Sequence, residues 1–173
     1  VSDDDDEISD DEIRDALRAI HAGDARLKHV LCLGAASHDF ETPLMLAEVI
    51  EAIAVKYEID GDVANGGLDQ VAWNHGVEAT RAYATAFRAV GAIENADVLD
   101  RLATTLVEYQ DKHGDQIAKD PVKHFLAYRR AVGGPEFGIP EHGDELAEVV
   151  LEYVIARAAT LPAADAPLVR KPQ

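Results

Sequence analysis

The sequence predicts an all-α fold, and three observations carry that reading. Apolar residues recur at i, i+3, i+4 and i+7 through most of the chain. Helix starts are marked by capping residues, twice with proline at the first helical position, at Thr42-Pro43 and Asp120-Pro121. No stretch of useful length alternates apolar and polar residues as a strand would. At 173 residues one core is expected. A single compact domain of about seven helices should therefore span residues 9–160, between a disordered acidic tail at 1–8 and a flexible tail at 161–173.

Taken in order, Ser9 and Glu12 form a capping box that opens a helix with Ile13, Leu17 and Ile20 on one face, closed by Gly23. Asp24 can cap a short helix through Leu33, and Gly34 to Phe40 reads as a loop. The helix after Thr42-Pro43 should run to about Glu58 on a stripe of Leu46, Val49, Ile50, Ile53 and Tyr57. Asp60-Gly61-Asp62 is its expected exit turn. Asn65 should cap a compact helix through Asn74 that stops near Gly76. Val77 to Val90 follows, with Ala79, Ala82, Tyr83, Ala86, Phe87 and Val90 on one side and Gly91 as terminator. Asn95 to His113 carries Val98, Leu99, Leu102, Leu106 and Tyr109. The helix from Asp120 should end at Gly133-Gly134-Pro135. The last, Asp144 to about Ala159, should bury Leu146, Val149, Val150, Tyr153 and Val154.

Charge is the most unusual property. There are 33 acids against 16 bases, a formal net charge of −17. Residues 1–15 hold nine acids and one base, and the remainder still carries 24 acids against 15 bases. Such a surface repels nucleic acid and anionic membranes and attracts cationic partners over a Debye length of roughly 8–10 Å. The competing explanation is salt adaptation, because Asp outnumbers Lys 19 to 6. One cysteine, Cys32, excludes an intramolecular disulfide and reads as a buried, inert thiol. The acidic start lacks the features of a secretory signal and no apolar run is long enough to span a membrane. A cytoplasmic location is the expectation.

Two acid-rich regions stand out. Glu141, Glu145, Glu148 and Glu152 follow spacings of 4, 3 and 4, and residues 131–156 contain no Lys or Arg. Asp39, Glu41, Glu48, Glu51, Glu58, Asp60, Asp62 and Asp69 form the second, relieved only by Lys56. A charged face opposite an apolar one is ordinary for a surface helix, but such faces usually mix signs. We expect Glu141, Glu145, Glu148, Glu152, Glu48, Glu51, Glu58 and Asp62 to contact a basic partner.

The densest motif is Asn65-Gly66-Gly67-Leu68 with Gln70 and Asn74. Paired glycines suggest positive φ or a close backbone approach. No Lys, Ser or Thr follows at phosphate-loop spacing, so a phosphate site is not expected. Gln70 and Asn74 lie at i and i+4, where their amides could satisfy buried backbone groups. Asn65, Gly66, Gly67, Gln70 and Asn74 together resemble the Asn-Gly-Gly-aromatic…Gln…Asn signature of the bacterial DNA-mimic protein family. Ala79 to Ala92 and Asn95 to Leu106 resemble that family's following helices, so the likeness covers roughly Leu44 to Leu106. Leu68, Val71 and Ala72 depart from the aromatics usual there. The resemblance implies a small all-helical acidic protein whose carboxylates imitate DNA phosphates and occupy the DNA-binding face of a transcription factor or nucleoid protein.

Enzymatic chemistry is not expected. His38-Asp39-Phe40-Glu41 and His142-Gly143-Asp144-Glu145 are the densest His–acid clusters, and neither has a helical zinc pair. His21, His29, His75, His113 and His124 read as helix-surface or capping residues. No nucleophile motif is present. The expectation is therefore no catalytic residues, no metal, no cofactor, no nucleic-acid or membrane ligand, and a basic protein as partner, with a homodimer left open. An immunity-type inhibitor of a nuclease toxin needs the same physics. A metal-dependent hydrolase is the weakest alternative.

Overall fold

A computed structural model describes residues 8–37, 39–41, 47–132 and 144–172. It is all-α, with no strand among the described residues. The helices are α1 (Asp10–His21), α2 (Leu27–Ala36), α3 (Ala47–Gly66), α4 (Leu68–Ala89), α5 (Ile93–His113), α6 (Gln116–Lys119), α7 (Pro121–Ala131) and α8 (Asp144–Ala156). A single 3₁₀ turn, Ala158–Thr160, follows α8. They pack as two compact units, residues 1–50 with 146–173, and residues 51–145.

In the first unit α1 packs on α2. The Ser9–Glu12 capping box forms as read, and Ile13, Leu17 and Ile20 are buried. Asp24 does not cap α2, because its N–H turns back to the Ala19 carbonyl at 2.9 Å and completes the end of α1. Instead the Arg26 N–H donates to His29 Nδ1 at 3.0 Å, and α2 runs on to Ala36, three residues into the stretch expected as a loop. Cys32 on α2 is half-buried, and burial pushes its thiol pKa up. Leu146, Val150 and Val154 of α8 are buried, while Val149 and Tyr153 are half-buried.

Residues 162–172, expected as a frayed tail, are tied down instead. Prolines lower the segment's own hydrogen-bonding capacity, and its carbonyls find partners elsewhere. Arg14 Nη1 donates to the Ala164 and Ala166 carbonyls at 2.7 and 3.2 Å, and His21 Nε2 to Pro162 at 2.8 Å. Backbone bonds from Glu41 N–H to Val169 and from Lys171 N–H to Asp39 hold the end against residues 39–41. The expected disorder of residues 1–8, the Thr42-Pro43 cap, the Gly133-Gly134-Pro135 stop and both His–acid clusters fall wholly or partly outside the described residues.

The second unit is organised by α4 and α5. The connection Val90 to Ala92, with Gly91 at φ 86°, turns the chain so that α5 packs along α4. Val98, Leu99, Leu102, Leu106 and Tyr109 of α5 are all buried, as their spacing predicted. On the part of α4 beyond Gly76 the buried face is Thr80, Tyr83, Ala84, Ala86 and Phe87, so Ala82 is exposed rather than inward. Gly76, at φ 84°, breaks α4 where the sequence placed a stop. Asp120 caps α7 by accepting from the Lys123 N–H, with Pro121 behind it.

The main correction concerns α3, which does not stop at Asp60-Gly61-Asp62 but continues to Gly66. Lys56 pairs with Asp60 at 2.7 Å one turn on, Val55 and Ile59 are buried, and Asp62 is bonded to α4. These contacts outweigh the roughly 0.5–1 kcal/mol that glycine costs inside a helix. The buried stripe accordingly follows Val49, Ala52, Ile53, Val55 and Ile59, and Tyr57 is 57% exposed with Lys56 Nζ 5.3 Å from its ring centroid. Asn65 lies in the last turn of α3 and caps nothing. Gly67 starts α4, at φ 100°, and its N–H closes α3 onto the Asp62 and Val63 carbonyls.

Gly61→Ala should therefore stabilise the protein by roughly 0.5–1 kcal/mol in urea unfolding, because a Cβ there meets nothing within 4 Å. A loss of stability would mean that Gly61 sits in a turn. Gly67→Ala should cost about 1–3 kcal/mol, since its φ is hostile to L side chains and a Cβ would stand 3.0 Å from Asp69 Oδ1.

Candidate protein-binding surface

Exposed carboxylates are supplied by helices whose opposite faces are buried. On α8, Glu148 and Glu152 are exposed, opposite Leu146, Val150 and Val154. Four helical residues separate them by about 6 Å along the axis, against one phosphate charge per roughly 1.7 Å of duplex. Glu145 lies in the first turn of α8, and Glu141 lies outside the described residues. On α3, Glu48 and Glu51 are exposed. Among the described residues no Lys or Arg forms an ion pair with Glu48, Glu51, Glu148 or Glu152. These four present uncompensated charge.

Glu58 and Asp62 are used differently. Asp62 Oδ1 accepts from Asn74 Nδ2 at 2.8 Å, and its Oδ2 lies 2.8 Å from His75 Nε2. The Tyr83 hydroxyl donates to Glu58 Oε1 at 2.5 Å and lies 3.2 Å from His75 Nδ1. Desolvation first, then the hydrogen bond to Glu58, push the Tyr83 phenol far above its ordinary pKa, so it stays a proton donor. The last two turns of α3 are thus clamped to both halves of α4 across the Gly76 break. Asn74 serves a carboxylate of α3 rather than a backbone group. Gln70 is half-buried, and its backbone N–H donates to the Gly67 carbonyl at 3.0 Å.

Asp69, which belongs by sequence to the acid-rich region, is not a surface charge. It sits in the first turn of α4, buried, with Oδ2 3.2 Å from Arg129 Nε of α7 and without a hydrogen-bond partner for that oxygen. Burial raises its pKa, opposed by the Arg129 charge and backbone N–H groups at the helix start. Beneath it Trp73 packs on Phe125 and Tyr128 at centroid distances of 5.5 and 5.6 Å, and Tyr128 is fully buried.

The histidines divide by role. His29 caps α2 and His124 Nδ1 bonds the Tyr109 hydroxyl at 2.8 Å. His75, read from sequence as a surface or capping residue, is the centre of the α3–α4 clamp. Nothing in its spacing announces this, because its partners lie 13 and 17 residues upstream. Among the described residues no group of three or more His, Cys, Asp or Glu side chains could hold a metal ion, and no helix is long and apolar enough to cross a membrane.

A family model for DMP19-like protein matches residues 46–152, well over half of the chain. The match runs from the start of α3 nearly to the end of α8 and contains all eight acids singled out from the sequence. Comparison with curated proteins and with solved structures returns no match.

Removing the Tyr83 hydroxyl tests the clamp. Tyr83→Phe should lower stability by roughly 1.5–3 kcal/mol in chemical denaturation, the range for a hydrogen bond to a charged group. Asp69 makes a separate prediction about pH. Its folded-state pKa is raised above the unfolded value, so its contribution favours folding at acid pH and is lost as pH rises through and above the ordinary carboxylate range. Asp69→Asn lacks this titration. Its stability relative to the parent should therefore increase between about pH 4 and pH 7 in parallel urea series. A constant difference would show that Asp69 ionises alike in both states.

Proposed function

This chain belongs to the DMP19-like family, a family of DNA-mimic proteins, and on that premise we propose that it binds the DNA-contacting face of a basic protein and keeps DNA away from it. The observation that carries the reading is the uncompensated charge of α3 and α8. In a chain with two acids for each base, Glu48, Glu51, Glu148 and Glu152 stand exposed without cationic partners among the described residues. Within each helix the backbone holds these charges at set spacings, so a cationic groove meets an ordered row of carboxylates. Glu145 and Glu141 extend the α8 series by sequence and are proposed to contact the partner as well. Glu58 contributes its free oxygen, and Asp62 acts mainly by fixing α3.

The reading is non-enzymatic and requires no cofactor. A transcription factor or nucleoid protein is the proposed class of partner. Exposed charge acts chiefly on encounter rate and specificity, so association should be fast and strongly weakened by salt. Salt adaptation predicts otherwise, because a brine-dependent protein loses structure in dilute buffer. This one should keep its helical circular dichroism there.

The test measures competition with DNA. Basic DNA-binding proteins of the source cell, collected on DNA-cellulose, are passed over the immobilised chain and eluted with duplex oligonucleotide. A retained protein released by the duplex is then purified and its affinity measured. Reversing Glu48, Glu51, Glu148 and Glu152 to Lys should weaken it at least tenfold and flatten the salt dependence. The same reversal at Glu94, Glu108, Asp111 and Asp115, all exposed on or beside α5, should weaken it much less. Equal losses would reduce the effect to net charge and defeat the idea of a mimetic surface.

A further inference from the structure

The charge of this chain is not evenly acidic. Residues 112–130 carry five bases, Lys112, Lys119, Lys123, Arg129 and Arg130, against two acids, Asp115 and Asp120. One of these bases, Arg129, is paired with the buried Asp69, and Asp120 is engaged in capping α7. The outer face of α7 is what remains. Val122, Lys123, Leu126 and Arg130 fall within about 100° of the helix circumference, at the 100° per residue of an α-helix. All four are exposed, Val122 to 71% and Leu126 to 47%, while Tyr128 on the opposite face is fully buried. The helix contains no acid, and among the described residues neither Lys123 nor Arg130 forms an ion pair.

Two apolar side chains one turn apart, with two cations along one edge, form a face that suits an amphipathic segment. We infer that the outer face of α7 is a docking surface for an acidic polypeptide segment that presents apolar side chains at helical spacing. Charge complementarity selects that occupant. Two copies of α7 meeting about a two-fold axis would bring Lys123 and Arg130 against their own kind. Nucleic acid would use the cations but leave Val122 and Leu126 in water. The acidic segment satisfies both pairs. Its own charge is repelled at long range by the rest of the chain, so this contact should tighten, not weaken, as salt rises from low to physiological levels of about 0.15 M. That is the opposite of the dependence expected for the carboxylates of α3 and α8, and it lets the two surfaces fail independently.

The experiment uses the full chain and a fluorescein-labelled synthetic peptide of Glu and Leu patterned as an amphipathic helix, followed by fluorescence anisotropy. Saturable binding is expected, stronger at about 0.15 M salt than at a tenth of that. Val122→Ser with Leu126→Ser should weaken it at least tenfold, and so should Lys123→Glu with Arg130→Glu. These positions are exposed, and circular dichroism checks that the variants stay folded. Replacing every Leu of the peptide by Ser should also weaken binding tenfold, a measurement made on the unaltered protein. Absence of binding, equal binding of the Leu-free peptide, or equally tight binding of a duplex oligonucleotide would overturn the proposal. So would sedimentation showing a dimer of the parent that the α7 variants convert to monomer.

Discussion

A single residue, Gly67, joins two helices of 20 and 22 residues, and much of the second unit follows from how it does so. Its N–H ends α3 on the Asp62 and Val63 carbonyls, while its own carbonyl receives the Gln70 N–H of α4. One residue thus serves as the close of one helix and the start of the next, at a φ of 100° that glycine tolerates. A connection that short leaves no freedom in how α4 leaves α3. It brings Asp62 against Asn74 and His75, and Glu58 against Tyr83, two polar links that brace the junction. It also places Asp69 at the buried start of α4, where the helix dipole and Arg129 offset part of the cost of its burial.

The same geometry sorts the acids into classes that composition cannot distinguish. Some are structural, as in the clamp at Glu58 and Asp62. Others are locally neutralised, as where Arg88 lies 2.8 Å from both Asp97 and Asp100. Such exposed pairs contribute little to stability, about 0–1 kcal/mol, but they remove charge from the long-range field. With only 16 bases for 33 acids, every base consumed in this way leaves other carboxylates without a counter-charge. Glu48, Glu51, Glu148 and Glu152 are among those left over. A mimic of DNA needs charge that is both surplus and fixed in place, and helices buried on one side supply the fixing.

Bases are also unevenly spread, and their grouping on residues 112–130 gives one helix a character unlike the rest of the chain. Arg129 is paired with Asp69, whereas Lys123 and Arg130 form no ion pair among the described residues. The exposed Val122 and Leu126 beside them have no role in the core, which on α7 is served by Phe125 and Tyr128.

The sequence alone determined the helical class, the Ser9–Glu12 and Asp120-Pro121 starts, the buried stripe of α5 and the breaks at Gly76 and Gly91. Each rests on local chemistry: spacing of apolar residues, a side chain bonding its own backbone, or the freedom of glycine. The acidic stretches were legible for the same reason, since charge is a property of composition. Where tertiary contacts compete with local preference, the sequence misled. Asp60-Gly61-Asp62 has the chemistry of a turn, yet Asp62 finds Asn74 and His75 on α4 and the helix continues. Asp24 looks like a cap but finishes the helix before it. The tail beyond Leu161 has no periodicity, and it is held by Arg14 and His21 of α1, about 140–150 residues away in sequence. Nor could spacing reveal that Asp69 is buried while Glu51 is free, because exposure depends on what another helix brings to the same place. Local patterning decided which residues form helices. Only packing decided which of the acids are buried and which remain exposed.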